Sequence, residues 1–225
     1  VKANACFPKP PGMDMVRAAA FMMAYGTSYH ALKDRAKLQE GDTLLVLGAA
    51  GGVGLTAVEL GCRMGARVIA AASTADKLEL CKSYGAEMTV NYMEENLKER
   101  VKELTDGKGV DVVYDPVGGK HSEPALRTMA WNGRYLVVGF AAGDIPKVPL
   151  NLPLLKGCQI VGVFWGAFAT KFPGKNMQNT MELIQWFAEG KLKPQIHATY
   201  PLADAVKALE DIQARRVKGK AVIIT

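Results

Sequence analysis

The chain has 225 residues, 49% hydrophobic and 22% charged, a balance that excludes a disordered or collagenous chain and is ample for a sizeable core. Twenty-eight basic against 22 acidic residues leave a net charge of +6, which welcomes anionic partners without by itself indicating nucleic acid. The longest apolar stretches, residues 16–25 and 160–165, are too short to cross a bilayer. Four cysteines (Cys6, Cys62, Cys81 and Cys158) include no C-x-x-C pair and read as reduced thiols of a cytoplasmic protein.

Residues 1–15 contain three prolines and read as the tail of a preceding unit. Val1 in place of Met reads as trimming at the start, and no charged-then-apolar leader opens the chain. From Thr43 the pattern alternates. Short apolar runs fall at 43–47, 67–71, 110–114, 135–138 and 159–164, each apolar throughout, as strands buried on both faces are. Between the first two, Val53, Ala57, Leu60 and Met64 recur on one face of a helix. Ser73-x-x-Asp76 predicts a capping box for the next helix, with Gly85 as its stop. From Pro194 the chain adds an amphipathic helix (Leu202, Val206, Leu209, Ile212) and a last strand over 221–224. The expected fold class is α/β, a doubly wound parallel sheet. Its expected divisions are a remnant of an N-terminal domain at 1–15, a dinucleotide-binding domain at 16–193, and a segment at 194–225 returning to the largely absent partner domain.

The run "LLVLGAAGGVG" places four glycines within seven positions after the first strand. Strand, glycine turn, amphipathic helix and second strand are the context of a dinucleotide fingerprint, in which pyrophosphate meets bare backbone at a helix N-terminus. The G-x-G-x-x-G frame falls on Ala49-Ala50-Gly51-Gly52-Val53-Gly54, with alanine in first place. About 20 residues on, the second strand ends in Ala72-Ser73-Thr74 without the acid that an NAD site sets against the ribose hydroxyl. Asp76 reads as a helix-start carboxylate facing the dipole. Ser73 and Lys77 suit a 2′-phosphate, so NADPH is expected over NADH, although Lys77 reads nearly as well as a solvated helix lysine.

The segments "AYGTSYHAL", "GDTLLVLGAAGGVG", "VNY", "VVYDPVGG", "VVGFAAG" and "QIVGVFWGAF" together resemble the zinc-independent medium-chain dehydrogenases, in particular the NADPH:quinone oxidoreductases of the zeta-crystallin type. The resemblance spans nearly the whole chain and lacks the family's N-terminal GroES-like domain. It implies Thr27 near the nicotinamide ribose and Ala50, Gly51, Gly52, Val53 and Gly54 around the pyrophosphate. It implies Ser73, Lys77 and Tyr92 about the 2′-phosphate, and Asp115, Val117 and Gly118 in a turn beneath the adenosine. Gly139, Phe140, Val163, Phe164 and Trp165 would line the nicotinamide side. Arg215 would close on the 2′-phosphate, with Arg216 as its rival. Tyr92 also reads as a surface tyrosine, Phe140 and Trp165 as core aromatics, and Arg215 as a helix-end charge.

The position of a catalytic cysteine near Thr27 is taken by Met23, and His30, His121 and His197 show no metal spacing, so no metal site is expected. No catalytic hydrogen-bond donor is assigned, and Tyr25, Tyr29 and His30 read as helix packing. The expected activity is NADPH-dependent hydride transfer to a quinone or activated enone. The alternatives are an enoyl-thioester reductase, a non-catalytic NADPH-binding protein, and an RNA-binding protein drawing on the basic run Arg215 to Lys220. The apolar strand within 158–166 has little edge protection. It predicts a homodimer built on that edge, as the resemblance also implies.

Overall fold

A computed structural model describes residues 7–225; Cys6 and the first six residues of the proline-bearing segment lie outside the described residues. The first helix, α1 (Met15–Tyr29), starts at Asp14, whose carboxylate accepts from the Arg17 amide at 2.7 Å and so satisfies one of the orphan donors of the first turn. It runs into a π-helical segment, His30–Ala36, that stops at Lys37 in the left-handed conformation (φ 51°).

Six parallel strands follow: β1 (Thr43–Leu47), β2 (Arg67–Ala72), β3 (Met88–Asn91), β4 (Val110–Asp115), β5 (Met129–Val137) and β6 (Gln159–Gly162). Their spatial order is β3-β2-β1-β4-β5-β6, the doubly wound order in which chain direction across the sheet reverses between β1 and β4. The crossovers carry α2 (Gly52–Arg63), α3 (Ala75–Ser83), α4 (Leu97–Leu104), α5 (Ser122–Arg127) and α6 (Asn151–Lys156); α7 (Trp165–Lys171) and α8 (Pro173–Ala188) come after β6. A separate two-stranded parallel sheet joins β7 (Ile196–Pro201) to β8 (Lys220–Ile224), with α9 (Ala205–Gln213) between them.

The period of two in β1 divides the core. Leu44 and Val46 join Phe21, Tyr25, Leu32, Leu60 and Leu183 on one face, while Leu45 and Leu47 join Ile69, Val90, Val113 and Leu126 on the other. All of β1 is buried, and each such leucine contributes about 1.5–3 kcal/mol of burial. That two-sided burial explains the unbroken apolar runs in the sequence.

Two local expectations are corrected. The capping box does not form: Thr74 precedes α3 without a side-chain cap, and Asp76 is held by the Thr74 hydroxyl and by Lys218 instead. The strand expected at 159–164 ends at Gly162, because Phe164 turns the chain into α7. The apolar face of α9 and its lead-in is exposed, with Leu202, Val206 and Leu209 each more than 60% accessible. Neither β3 nor β7 stands out in the sequence as an apolar run. Both are short or interrupted by polar residues, and parallel pairing rather than composition defines them.

Candidate functional site

At the C-terminal ends of the central strands, where the order reverses, lies a cavity of about 300 Å³, in the crevice where open α/β sheets take their ligands. The glycine turn forms one wall. Gly48 adopts φ +57° directly after β1, so the residue that makes the tight turn lies one position before the frame read from the sequence. Gly54 is packing-critical: a Cβ there would come within 2.2 Å of the Gly48 carbonyl oxygen. Gly51 precedes α2 in an extended conformation and offers no side chain to its first turn. The early amides of α2 are therefore left for a guest at the positive end of the helix. The Gly219 amide donates to the Ala50 carbonyl at 2.8 Å, and Gly219 pairs with Gly51 in a parallel bridge. This sews the lead-in to β8 onto the turn.

The opposite corner is built by the ends of β2 and β3 and by the chain between α9 and β8. Ala72, Ser73, Lys77 and Tyr92 face the cavity with Ile212, Arg215 and Val217. Lys77 Nζ donates to Ser73 Oγ at 3.2 Å and to the Arg215 carbonyl at 2.7 Å. Burial lowers the pKa of its ammonium; Asp76 opposes this, and the charges of Arg215 and Lys218 add to the lowering. The Tyr92 phenol, raised in pKa by burial, packs its ring 4.5 Å from His121. Arg215 itself sits at φ +57°. Its rival is otherwise engaged, since the Arg216 guanidinium meets Asp211 at 2.6 Å.

The floor is formed by Pro116, Val117, Ala141 and Ala142, after β4 and β5. Asp115 does not face the cavity. It is buried and accepts from the Val117 and Gly118 amides at 2.8 Å, from Ser122 Oγ at 2.7 Å, and from the Tyr135 hydroxyl. Its carboxylate is thus a fixed anchor for the turn that carries Val117.

The cavity brings together Ala50, Gly51, Gly52, Val53, Gly54, Ser73, Lys77, Tyr92, Val117 and Arg215 from the sequence expectation. Beside Asp115, it leaves the following outside its lining. Thr27 donates its hydroxyl to the Met23 carbonyl at 2.7 Å. Gly118 and Gly139 support the floor: a Cβ on Gly118 would meet the Phe140 ring at 2.9 Å, and one on Gly139 the Pro116 carbonyl at 3.2 Å. Phe140 and Phe164 are exposed and Val163 is buried. Trp165 donates to Asn176 Oδ1 at 3.0 Å and covers Gly26. Sequence reasoning missed Gly48, whose signal was the first glycine after an apolar run. It also missed Ile212 and Val217, which read as core and connector. Tyr25 and Tyr29 are packing residues, as expected, donating to Glu59 and Glu182 at 2.5 Å.

Residues 52–186 match the profile of the zinc-binding dehydrogenases. The chain belongs to this family. It is 42% identical over 218 residues to a quinone oxidoreductase-like protein 2 homolog of Nematostella vectensis, covering 96% of this chain and 60% of that protein. Among solved structures, the quinone oxidoreductase of Escherichia coli complexed with NADPH superposes with a TM-score of 0.93 at 30% identity, covering 99% of this chain and 69% of that one. A mycobacterial protein complexed with NADPH gives a TM-score of 0.94 at 31% identity, covering 100% and 69%. The chain thus spans about 60% of the Nematostella relative and matches the cofactor-binding half of the dehydrogenases as a doubly wound α/β unit.

Zinc, which the family's description invokes, does not fit the described residues. Among them no three His, Cys, Asp or Glu side chains stand together to hold a metal. His30 Nδ1 is 2.8 Å from Asp34 with its ring stacked on Phe168, and burial pushes the pKa of the Cys62 thiol up to about 11 and that of Cys81 to about 12. Among the described residues no helix is long and apolar enough to cross a membrane.

Proposed function

We propose that this chain is the cofactor-binding part of an NADPH-dependent oxidoreductase that delivers hydride to a quinone or activated enone without zinc. The observation that carries this reading is one cavity with two unlike ends. A side-chain-free helix start stands at one, and a hydroxyl, an ammonium, a phenol and a guanidinium converge at the other. The first end suits a pyrophosphate and the second a 2′-phosphate. When bound, the cofactor supplies the hydride; the residues of this chain bind it, orient it and exclude water. Gly52, Val53 and Gly54 present amides, while the Gly51 amide is held by the Gly48 carbonyl at 2.9 Å; Ser73, Lys77, Tyr92 and Arg215 fix the adenosine end, and Asp115 holds the floor. Thr27, Gly139, Phe140, Val163, Phe164 and Trp165 remain the proposed nicotinamide flank. The names and bound NADPH of the relatives support the reading.

The same reading assigns residues 1–15 and 194–225 to a partner lobe. Met15, Met23, Leu202, Val206 and Leu209 present apolar surface suited to one. It also assigns a homodimer to the edge strand β6, which among the described residues pairs with β5 alone and leaves Ile160 45% exposed, and a cytoplasmic setting. RNA binding is not favoured, because Arg216 and Lys218 of the basic run are engaged by Asp211 and Asp76. The test is calorimetric titration with NADPH and NADH, followed by NADPH oxidation with quinones, enones and an enoyl thioester. Preferred binding of NADPH with turnover on quinone or enone supports the proposal. Thioester-only turnover transfers the assignment to an enoyl reductase, binding without turnover once the partner lobe is present to a non-catalytic holder, and no binding overturns it.

A further inference from the structure

An acid adjoins the corner proposed for the 2′-phosphate, outside the cavity lining itself. Asp76 lies in the first turn of α3, beside Lys77. A carboxylate there opposes a 2′-phosphate, because like charges at short range repel and because an acid near the end of the second strand belongs to sites that choose the free ribose hydroxyl. The Thr74 hydroxyl donates to one Asp76 oxygen, and Lys218 Nζ meets the other at 2.9 Å. These contacts, the Thr74 hydrogen bond first, hold the Asp76 carboxyl down to about 2, so protonation does not silence it at neutral pH. Lys218 comes from the same connection between α9 and β8 that places Arg215 and Val217 in the cavity, and Lys77 grips that connection at the Arg215 carbonyl. Two cross-links therefore join the start of α3 to this connection, and one of them cancels the only acid among the residues they link.

We infer that Lys218 is a positioning residue that sets cofactor selectivity: paired with Asp76, it removes an opposing charge from the 2′-phosphate corner and keeps Arg215 across the cavity. The inference rests on the NADPH reading above. The experiment measures dissociation constants for NADPH and NADH by calorimetry in the parent protein and in Lys218→Ala, Lys218→Arg, Asp76→Asn and the Asp76→Asn/Lys218→Ala double variant, with thermal melts as a check of folding. Lys218→Ala is expected to lower the preference for NADPH over NADH roughly two- to fivefold, the effect of one exposed, solvent-screened charge pair. Lys218→Arg is expected to keep the preference, as is Asp76→Asn, and the double variant to recover most of it. A parent without preference for NADPH overturns the cofactor reading and this inference together. A parent with that preference, left unchanged by Lys218→Ala, overturns the inference alone. So does a lost preference that Asp76→Asn fails to restore, which would make Lys218 a direct phosphate ligand. If Lys218→Ala melts early, Asp76→Asn decides: a fall in NADPH preference there overturns the inference.

Discussion

The ammonium of Lys77 donates to the carbonyl oxygen of Arg215 at 2.7 Å, across 138 residues of sequence. One lysine thus holds the segment carrying the arginine and stands beside the Ser73 hydroxyl. Lys77→Ala is expected to weaken NADPH roughly tenfold or more, as loss of a charge-assisted phosphate contact does, and NADH far less. Titration of both cofactors reads the difference; equal losses would remove Lys77 from the 2′-phosphate corner.

The glycines of the turn separate binding from folding. A Cβ on Gly51 would have the Gly48 carbonyl 3.2 Å away, whereas one on Gly54 would lie at 2.2 Å from it. Gly51→Val is therefore expected to remain folded and lose cofactor binding, because its branches occupy the cradle. Gly54→Ala is expected to lose stability as well, by about 1–3 kcal/mol or more. Circular dichroism melts alongside titration test the pair, and normal NADPH binding by Gly51→Val would reduce the loop to a plain turn.

In the edge strand, Val161 packs partly against the core while Ile160 faces outward. A lysine at Val161 would disturb packing as well as an interface, so Ile160→Lys is the cleaner probe of the proposed dimer. Sedimentation is expected to give a dimer for the parent and a monomer for the variant. A monomeric parent, or a dimer untouched by the charge, counts against assembly through β6.

The buried ring of His30 ties the π-helical segment to α8 through Asp34, which also meets Lys175 at 2.9 Å and Asn179 at 2.8 Å. Burial lowers the His30 pKa from its ordinary 6.5 against the pull of Asp34, with Arg35 and Lys175 adding to the lowering. The unfolded chain therefore takes up this proton first as pH falls. The stability from keeping His30 neutral is complete above pH 6.5 and is lost below it, at no more than about 1.4 kcal/mol per pH unit. Denaturation midpoints followed from pH 7 downward should show this slope in the parent and a shallower one in His30→Gln.

Cys62 and Cys81 carry thiols that burial holds near 11 and 12, and the thiolate is the reactive form. Alkylation of the native protein at mildly basic pH is expected to spare both until it unfolds, as peptide mapping by mass will show. Prompt labelling of Cys81 would contradict its burial.

The sheet was largely legible because burial on both faces leaves runs such as 43–47 that no amphipathic helix imitates. The glycine turn was legible because four glycines stand within seven positions directly after an apolar run. The Asp76 contact was not: Ser73-x-x-Asp76 has the spacing of a capping box, yet a lysine 142 residues away competes for the carboxylate, and no local pattern records that. Arg215 and its rival Arg216 are neighbours in sequence. The turn after α9 separates them, placing Arg215 at positive φ toward the cavity and giving Arg216 to Asp211. The exposed face of α9 has a helix's periodicity, and periodicity does not tell whether the covering surface is supplied by the same segment.

Asp115 and Lys218 support two parts of one cavity, its floor and the returning chain, by unlike means. The first is a buried carboxylate hydrogen-bonded inside the sheet; the second is an ammonium paired with an exposed acid. Counter-ions reach the second and not the first. Ionic strength therefore acts on this molecule from one side: it screens the Lys218–Asp76 pair of the returning chain and leaves the sheet-borne floor, like the hydrogen bonds from Lys77 to Arg215 and from Gly219 to Ala50, untouched.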